Sequence, residues 1–164
     1  MNETERKARN TQKMTELYPV MARKIEAIIM DLEAKGFRPR IQEAYRSPAD
    51  QLADFNSGHS KLRFGFHNVT GANGHPESLA VDLLDDDDPE TPTSRYLLTL
   101  AASAASHGCN TGIRWGLPDD KRAAIDAALA ARDFKRTVVV GWDPCHVEPA
   151  GHTAEQAKEG WRPT

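Results

Sequence analysis

The sequence predicts a single domain of the α+β class. Its 164 residues are enough for one hydrophobic core. The apolar fraction of 39% and the charged fraction of 27% are ordinary for a globular protein. Helical patterns are mixed with short strand patterns, and no repeat, low-complexity stretch or linker divides the chain, which favours the α+β class. We therefore expect one domain over residues 1–164, with a polar, frayed arm at 1–12 and a polar tail at 151–164.

Helical signals recur along the chain. The clearest follows the polar arm, where apolar residues stand at helical spacing from Met14 to Leu32 and Lys35-Gly36 provides a stop. Ser47 is a good N-cap for a second helix, because Pro48 follows it at the first helical position and an acid stands at the third. That helix should reach about residue 57. Further helices are expected over residues 93–106, 119–132 and 153–160.

Short strands are expected between these helices. Thr137 to Gly141 is rich in β-branched residues and is predicted to pair with a strand at His146–Glu148. The other predicted strands cover residues 40–45, 79–84 and 112–116, the last being a strand or a turn. Residues 58–77 contain three histidines and several glycines. This composition predicts a long loop of the kind that often carries function.

The charge and the apolar pattern exclude several classes of partner. Acidic residues outnumber basic ones by 24 to 21, and the net charge of -3 argues against a nucleic-acid partner. No run of 18 apolar residues predicts a membrane span, and the N-terminus lacks the pattern of a signal peptide. Cys109 and Cys145 are too few for a disulfide framework and are expected to be reduced. We expect a monomer that is made in the cytosol and does not insert into a membrane.

Two clusters of potential metal ligands stand about sixty residues apart. The first runs from His75 to Asp82, and the second runs from Asp143 through His146 to Glu148. Zinc prefers imidazole nitrogen and carboxylate oxygen, and a catalytic zinc keeps an open position beside three protein ligands. We expect His75, Asp82 and His146 to be these ligands. Asp143 is expected to lie near enough to act as a base without binding the metal.

The chemistry that this donor set implies is metal-assisted hydrolysis. Zinc lowers the pKa of coordinated water to about 7 and polarises a carbonyl group. Asp143 would take the proton and pass it to the leaving amine. Arg46 is the best candidate for holding the negative charge that develops on the carbonyl oxygen. Glu148 shares a strand face with His146 and either orients that ligand or is solvated.

Other interpretations of these residues remain open. His59 and His67 lie in the same loop as His75 and compete with it for the metal. Cys145 is adjacent to His146, but neighbouring strand residues point to opposite faces, which disfavours a thiolate ligand. The acidic run at residues 85–88 could bind Ca²⁺, although such runs are more commonly solvated loops.

The first cluster resembles a motif of the zinc D,D- and L,D-peptidases of the M15 family. This family includes D-alanyl-D-alanine carboxypeptidases and the L-alanyl-D-glutamate endopeptidases of phage endolysins. Its motif, Ser-x-His-x-x-Gly-x-Ala-x-Asp, is matched with the family spacing by His75, Ala80 and Asp82. Asn73 and Ser78 replace the family Ser and Gly. The match is to the proposed ligands rather than to the whole motif.

Two further stretches extend the resemblance over residues 14–150. The family's second motif, an acid followed by His and Glu, resembles the stretch from Asp143 to Glu148. Upstream, Arg46-Ser47 followed by Gln51 is similar to the family's Arg-Ser-x-x-x-Gln helix start. The resemblance implies that Arg46 is the arginine that stabilises the transition state. It also implies that Ser47, Gln51 and Glu148 support the site or contact the substrate.

The resemblance implies a fold and an activity. The fold is a small antiparallel sheet that carries the zinc, with helices packed on the other side. Asp143 as the base, the compact size and the missing signal peptide resemble the endolysin branch, which cleaves the L-Ala–D-Glu bond of the peptidoglycan stem peptide. A phage enzyme of this kind would wait in the host cytoplasm and reach the cell wall through a membrane pore. The alternatives are a D-Ala-D-Ala carboxypeptidase or dipeptidase, and a non-catalytic module of the same fold that binds the wall.

Overall fold

A four-stranded antiparallel sheet is the centre of the fold. In the computed structural model, which describes residues 1–164, the strands are Pro39–Glu43 (β1), Val81–Asp85 (β2), Cys109–Gly112 (β3) and Asp143–Pro149 (β4). Their order in the sheet is β1-β2-β4-β3, and every neighbouring pair is antiparallel. The predicted α+β class is confirmed. Of the two central strands, β2 carries Asp82 and β4 carries His146, two residues of the expected site.

Helices cover one face of this sheet. The six α-helices are Glu3–Met14 (α1), Pro19–Ala34 (α2), Pro48–Asn56 (α3), Ser94–Ser106 (α4), Asp119–Ala130 (α5) and Ala154–Lys158 (α6). On β2, Val81 and Leu83 are fully buried, whereas Asp82 between them is partly exposed. Because α4 packs on β3 and β4 and α2 packs on α4, the buried residues face these helices. Asp82 therefore points to the other side of the sheet. None of the helices combines the length and the hydropathy that crossing a bilayer would require.

Residues Glu3–Met14 form helix α1, so the predicted frayed arm over residues 1–12 is wrong. The side chains of α1 bind the backbone of β1, and Arg6 is only 1% exposed. Arg6 and Asn10 both donate to the carbonyl oxygen of Pro39, at 2.6 and 2.9 Å. Asn10 also accepts from the Ile41 amide at 2.8 Å, and Arg9 donates to the Ile41 carbonyl at 2.8 Å. The segment looks polar in sequence because it buries polar contacts rather than an apolar stripe.

Two other elements differ from the sequence-based expectation. The helix expected from Met14 begins instead at Pro19, because the chain turns at Leu17 to form a bridge with Ser78. The β-branched stretch Thr137–Gly141 runs beside the sheet without joining it, so the predicted strand is wrong. The Gly141 amide donates a hydrogen bond of 2.7 Å to the carbonyl oxygen of Ile113, the residue that follows β3. The neighbour of β4 in the sheet is therefore β2 on one side and β3 on the other.

The acidic run after β2, which the sequence offered as a possible calcium site, is paired with arginines. Asp86 is 2.7 Å from the Arg40 guanidinium and 3.3 Å from that of Arg38. Asp87 accepts a hydrogen bond from the Arg38 guanidinium at 2.6 Å. Calcium needs six to eight oxygen ligands around one point. Here the carboxylates instead neutralise two arginines at the end of β1 and join that strand to β2.

Candidate metal centre

Three side chains converge on the face of the sheet that the helices leave open. His146 on β4 lies directly opposite Asp82 on β2, and His67 reaches them from the 3₁₀ turn Phe66–Asn68. His146 Nδ1 is 3.2 Å from both His67 Nε2 and Asp82 Oδ1, and His67 Nε2 is 3.3 Å from Asp82 Oδ1. At zinc–ligand distances near 2.1 Å, two ligands of a tetrahedral ion lie about 3.4 Å apart. The triangle therefore has the size that three zinc ligands require.

The outer nitrogen of each imidazole has a hydrogen-bond acceptor. His67 Nδ1 is 2.6 Å from the carbonyl oxygen of Ala44, and His146 Nε2 is 2.9 Å from Glu148 Oε2. These acceptors hold the ring protons on the outer nitrogens, as the supporting partners of metal-binding histidines do. The lone pairs of the two inner nitrogens then face each other and the Asp82 carboxylate. Such an arrangement is repulsive unless a cation stands between the three atoms, so the donor set fits a zinc ion.

The electrostatics of the cluster agree with this fit. Burial alone would lower the pKa of His146, but hydrogen bonds to Asp82 and Glu148 outweigh it and raise the pKa to about 9. Burial also acts to raise the pKa of Asp82, yet hydrogen bonds from His146 and His67 hold it well below its usual range. The metal-free cluster therefore binds a proton at neutral pH. A metal entering the cluster would displace that proton, which is the usual linkage between metal binding and protonation.

His75, the predicted third ligand, does not join the cluster, and the reason is a small hairpin. Thr70 pairs with Pro76 in an antiparallel bridge. Asn73 and Gly74 form the turn between them, with φ angles of 57° and 74°. The excursion carries His75 to an exposed groove beside the start of α2. The count of residues from His75 to Asp82 is therefore a poor guide to their distance.

His67 takes the place predicted for His75 because the residues around it are anchored in the core. Phe66 and Val69 are buried. The Phe66 carbonyl accepts from the Leu79 amide at 3.0 Å, and the His67 carbonyl accepts from the Arg46 amide at 3.1 Å. One sequence signal could have revealed this arrangement: an Asn-Gly pair is a strong hairpin signal, and it marks residues 70–76 as a segment that folds out and returns.

Asp143 lies beside the cluster but outside the ligand triangle. Its Oδ2 is 4.0 Å from His146 Nδ1, and the side chain is partly exposed. Burial and the negative charge of Asp82 raise the pKa of Asp143. A carboxylate that is close to the metal position, not ligating and less acidic than usual is suited to accept a proton.

Arg46 is one strand away from the candidate ligands and is held by other side chains. Its Nε donates to Glu43 at 2.7 Å, and Nη1 donates to Gln51 at 3.2 Å. Nη1 is also 3.2 Å from an oxygen of Asp54. Glu43 lies opposite Asp82 across β1 and β2, which brings this arginine cluster next to the ligand triangle. The hydrogen bond with Glu43 is the main reason that the pKa of Arg46 is raised, so the guanidinium is a fixed positive charge.

Gln51 and Ser47 belong to the start of α3, next to Arg46. The Gln51 amide donates to Ser60 Oγ at 2.8 Å and to the Leu62 carbonyl at 2.6 Å, which ties the following loop to Arg46. Ser47 Oγ accepts from the Asp50 amide at 3.1 Å and is the N-cap of α3. The contacts of Ser47 are therefore those of a helix start.

Two further candidates from the sequence lie apart from the ligand triangle. Cys145 is buried, burial raises the pKa of its thiol to about 12, and its sulfur does not belong to the group of converging ligand atoms. His59 is exposed, and its Nδ1 contacts Ser57 Oγ at 2.7 Å. Of the six histidines, only His67 and His146 belong to the metal-binding group.

Comparison with known proteins identifies a similar fold but no family. No family model matches the sequence, and no curated protein matches it significantly. Among solved structures, the L-Ala D-Glu endopeptidase ChiX of Serratia marcescens matches with a TM-score of 0.55 and 16% identity, over 91% of this chain and 94% of ChiX. The LD-carboxypeptidase LdcB, whose structure concerns peptidoglycan recognition, gives a TM-score of 0.48 at 15% identity, over 87% of this chain and 62% of LdcB. The chain thus has the fold of ChiX over nearly its whole length.

Proposed function

We propose that this chain is a zinc-dependent peptidoglycan peptidase that hydrolyses the L-Ala–D-Glu bond of the stem peptide. The observation that carries the proposal is the triangle of His67, Asp82 and His146, whose ligand atoms lie within 4.8 Å of one another. The choice of substrate is supported by the fold, which this chain shares with an L-Ala D-Glu endopeptidase over 91% of its length. The motif resemblance at Asp82 and from Asp143 to Glu148 supports the same choice.

His67, Asp82 and His146 would hold the zinc, and three is the number of protein ligands that a catalytic zinc has. When bound in such a site, zinc makes water nucleophilic at neutral pH and polarises the carbonyl of the substrate. Ala44 and Glu148 keep the two imidazoles in the tautomers that expose their inner nitrogens. Loss of either acceptor would weaken metal binding without removing a ligand.

Asp143 is proposed as the general base. It would accept the proton of the attacking water and deliver it to the departing amine, which needs a carboxylate near the metal that is not tied up as a ligand. Its position 4.0 Å from His146 Nδ1 meets this need. General acid–base catalysis of this kind contributes about 10²- to 10⁴-fold in rate.

Arg46 is proposed to stabilise the negative charge on the carbonyl oxygen. Glu43 and Gln51 orient its guanidinium, and orientation before the reaction is what makes such a donor effective. Asp54 is a more exposed partner of Arg46 than Glu43 is. The contact with Asp54 is therefore the one that a substrate oxygen would replace.

Digestion of purified peptidoglycan tests the proposal. The zinc-loaded protein is incubated with and without a chelator, and the released fragments are identified by mass spectrometry. We expect new fragments with N-terminal D-Glu, absent after chelation and absent with Asp143→Asn. Release of terminal D-Ala alone would indicate a carboxypeptidase and contradict cleavage of the L-Ala–D-Glu bond. Binding to peptidoglycan without any release would indicate a non-catalytic wall-binding module.

A lytic role in phage release is the finer part of the proposal, and it rests on the resemblance to endolysins. Expression of the chain in bacteria together with a pore-forming protein tests it. We expect lysis that needs both proteins and that is lost with Asp143→Asn.

A further inference from the structure

An exposed pair of indole rings extends from the metal centre to the surface. Trp142 is 70% exposed, the highest value among the large apolar side chains. Its ring centroid is 5.2 Å from that of Trp115, at an interplanar angle of 45°. The Trp115 centroid is in turn 5.2 Å from that of the His146 imidazole, at 44°. The two indoles, called the tryptophan pair below, therefore form a continuous aromatic surface that begins at a metal-binding histidine.

The two backbone segments that carry Trp115 and Trp142 pack closely against each other. The Trp142 amide donates to the Trp115 carbonyl at 3.2 Å. A Cβ added to Gly141 would lie 2.5 Å from the Trp115 amide nitrogen, and one added to Gly112 would lie 2.9 Å from the Trp115 ring. Glycine is therefore required at both positions for the two segments to meet. The exposed indole is held in place before any ligand arrives, which lowers the entropic cost of binding to it.

The exposure of Trp142 is not explained by packing. Tryptophan is highly buried on average, and its large apolar surface is most often covered by the core or by a partner. Here the ring lies against Trp115, and most of its surface remains open to solvent. Exposed aromatic residues beside a reactive site are typical of ligand-binding surfaces.

The distance from the metal centre indicates which part of the substrate would lie there. Two steps of 5.2 Å place the Trp142 ring within about 10 Å of the His146 imidazole. An extended chain advances about 3.5 Å per residue, so this distance corresponds to about three units from the scissile bond. With the N-terminal side of an L-Ala–D-Glu bond directed at the tryptophan pair, these units are L-Ala, the lactyl group and the ring of the amino sugar. A pyranose ring presents a face of C–H groups that packs flat on an indole.

We propose that Trp142 and Trp115 form a subsite for the amino sugar that carries the stem peptide. This inference rests on the proposed cleavage of the L-Ala–D-Glu bond, since that bond sets the sugar at the distance of the tryptophan pair. The subsite makes the enzyme selective for stem peptides that are still attached to glycan. Free stem peptides lack the group that the indoles bind.

A comparison of two soluble substrates tests the subsite. The first is the stem tetrapeptide attached through its lactyl group to N-acetylated muramic acid, and the second is the same tetrapeptide without the sugar. We expect the wild-type kcat/KM to be about tenfold higher for the first substrate, mainly through KM; tenfold corresponds to about 1.4 kcal/mol. In Trp142→Ala this ratio should fall close to one. Trp142→Phe, which keeps an aromatic face, should retain part of it.

The matched control is Met30→Ala. Met30 is 64% exposed on α2 and lies outside the tryptophan pair and the metal centre. This variant removes a large exposed apolar side chain and should keep the wild-type ratio. Equal kcat/KM values for the two substrates in the wild type would overturn the subsite while leaving the proposed peptidase activity intact.

A binding measurement that needs no turnover separates the two proposals. The probe is the sugar–lactyl–L-Ala fragment, which contains no L-Ala–D-Glu bond, titrated into chelator-treated protein while indole fluorescence is recorded. We expect a saturable change in the wild type and an affinity at least tenfold weaker, by calorimetry, in Trp142→Ala. The unfolding midpoint of the variant shows that it is folded. Binding of this kind in a protein that cleaves neither substrate would support the subsite and refute the peptidase, whereas equal binding by wild type and variant would refute the subsite.

Discussion

Replacement of His67 by alanine should weaken zinc binding, whereas replacement of His75 by alanine should leave it unchanged. His67 Nε2 is one of the three candidate ligand atoms, so His67→Ala should leave only Asp82 and His146 at the site. Loss even of a supporting partner of a ligand costs 10- to 100-fold in metal affinity, so loss of the ligand itself should cost more than about 100-fold. His75 is exposed and belongs to the hairpin at residues 70–76, so His75→Ala should bind zinc as the wild type does.

Thermal unfolding turns these affinities into measurable shifts. At a zinc concentration of about 100 times the wild-type Kd, binding stabilises the folded state by about 2.7 kcal/mol. For a chain of this size, each kcal/mol raises Tm by about 2–4 °C, so zinc should raise the wild-type Tm by about 5–11 °C. At the same concentration His67→Ala would be at most half saturated, and its Tm should rise by about 1 °C. A full zinc shift in His67→Ala combined with a lost shift in His75→Ala would refute the reasoning and restore His75 as the ligand.

Three further outcomes are expected. Asp143→Asn should bind zinc with wild-type affinity in calorimetry yet lose about 10²-fold or more in kcat, because it removes the base and no ligand; a lost zinc affinity would contradict this division of roles. Chelator-treated protein should lose stability as the pH rises from 6.5 through about 9. The pKa of His146 is raised in the folded state, so in this range the folded protein holds a proton that the unfolded chain has released. Melting curves at several pH values, compared with those of His146→Gln, test this. Gly141→Ala should cost about 1–3 kcal/mol in urea unfolding, because its Cβ would lie 2.5 Å from a backbone nitrogen; Gly65→Ala, where the nearest atom is 3.8 Å away, should cost less.

Sequence patterns predicted the strands of the site well and its loop poorly. Asp82 lies on β2 and His146 and Glu148 lie on β4, where side chains alternate between two faces and the position in sequence determines the face. Asp143 is three residues before His146 and comes near it beside the register shift between β3 and β4. In the loop before β2 no such period exists. Because residues 70–76 fold out and return, His67 rather than His75 lies in the candidate metal-binding group, although a histidine from this loop was expected there.

The errors in the helices and strands have a different physical cause. Apolar periodicity reports contacts made by apolar side chains, and α1 instead makes its contacts through Arg6, Arg9 and Asn10. The β-branched stretch Thr137–Gly141 has strand propensity, but β-propensity depends on the tertiary context. Its position was decided by the close approach of Gly141 to Trp115, which a single sequence does not reveal.

The contacts between α1 and β1 should also protect the protein against aggregation. β1 is the outermost strand on its side of the sheet, and an open edge of this kind is a template on which a strand of another molecule can add. Arg6, Arg9 and Asn10 occupy the polar groups of Pro39 and Ile41 that such a strand would bind. The helix thus closes the sheet as a further strand would, but without offering a new edge. A chain that lacks its first twelve residues should accordingly form intermolecular β-structure even where its metal centre is intact.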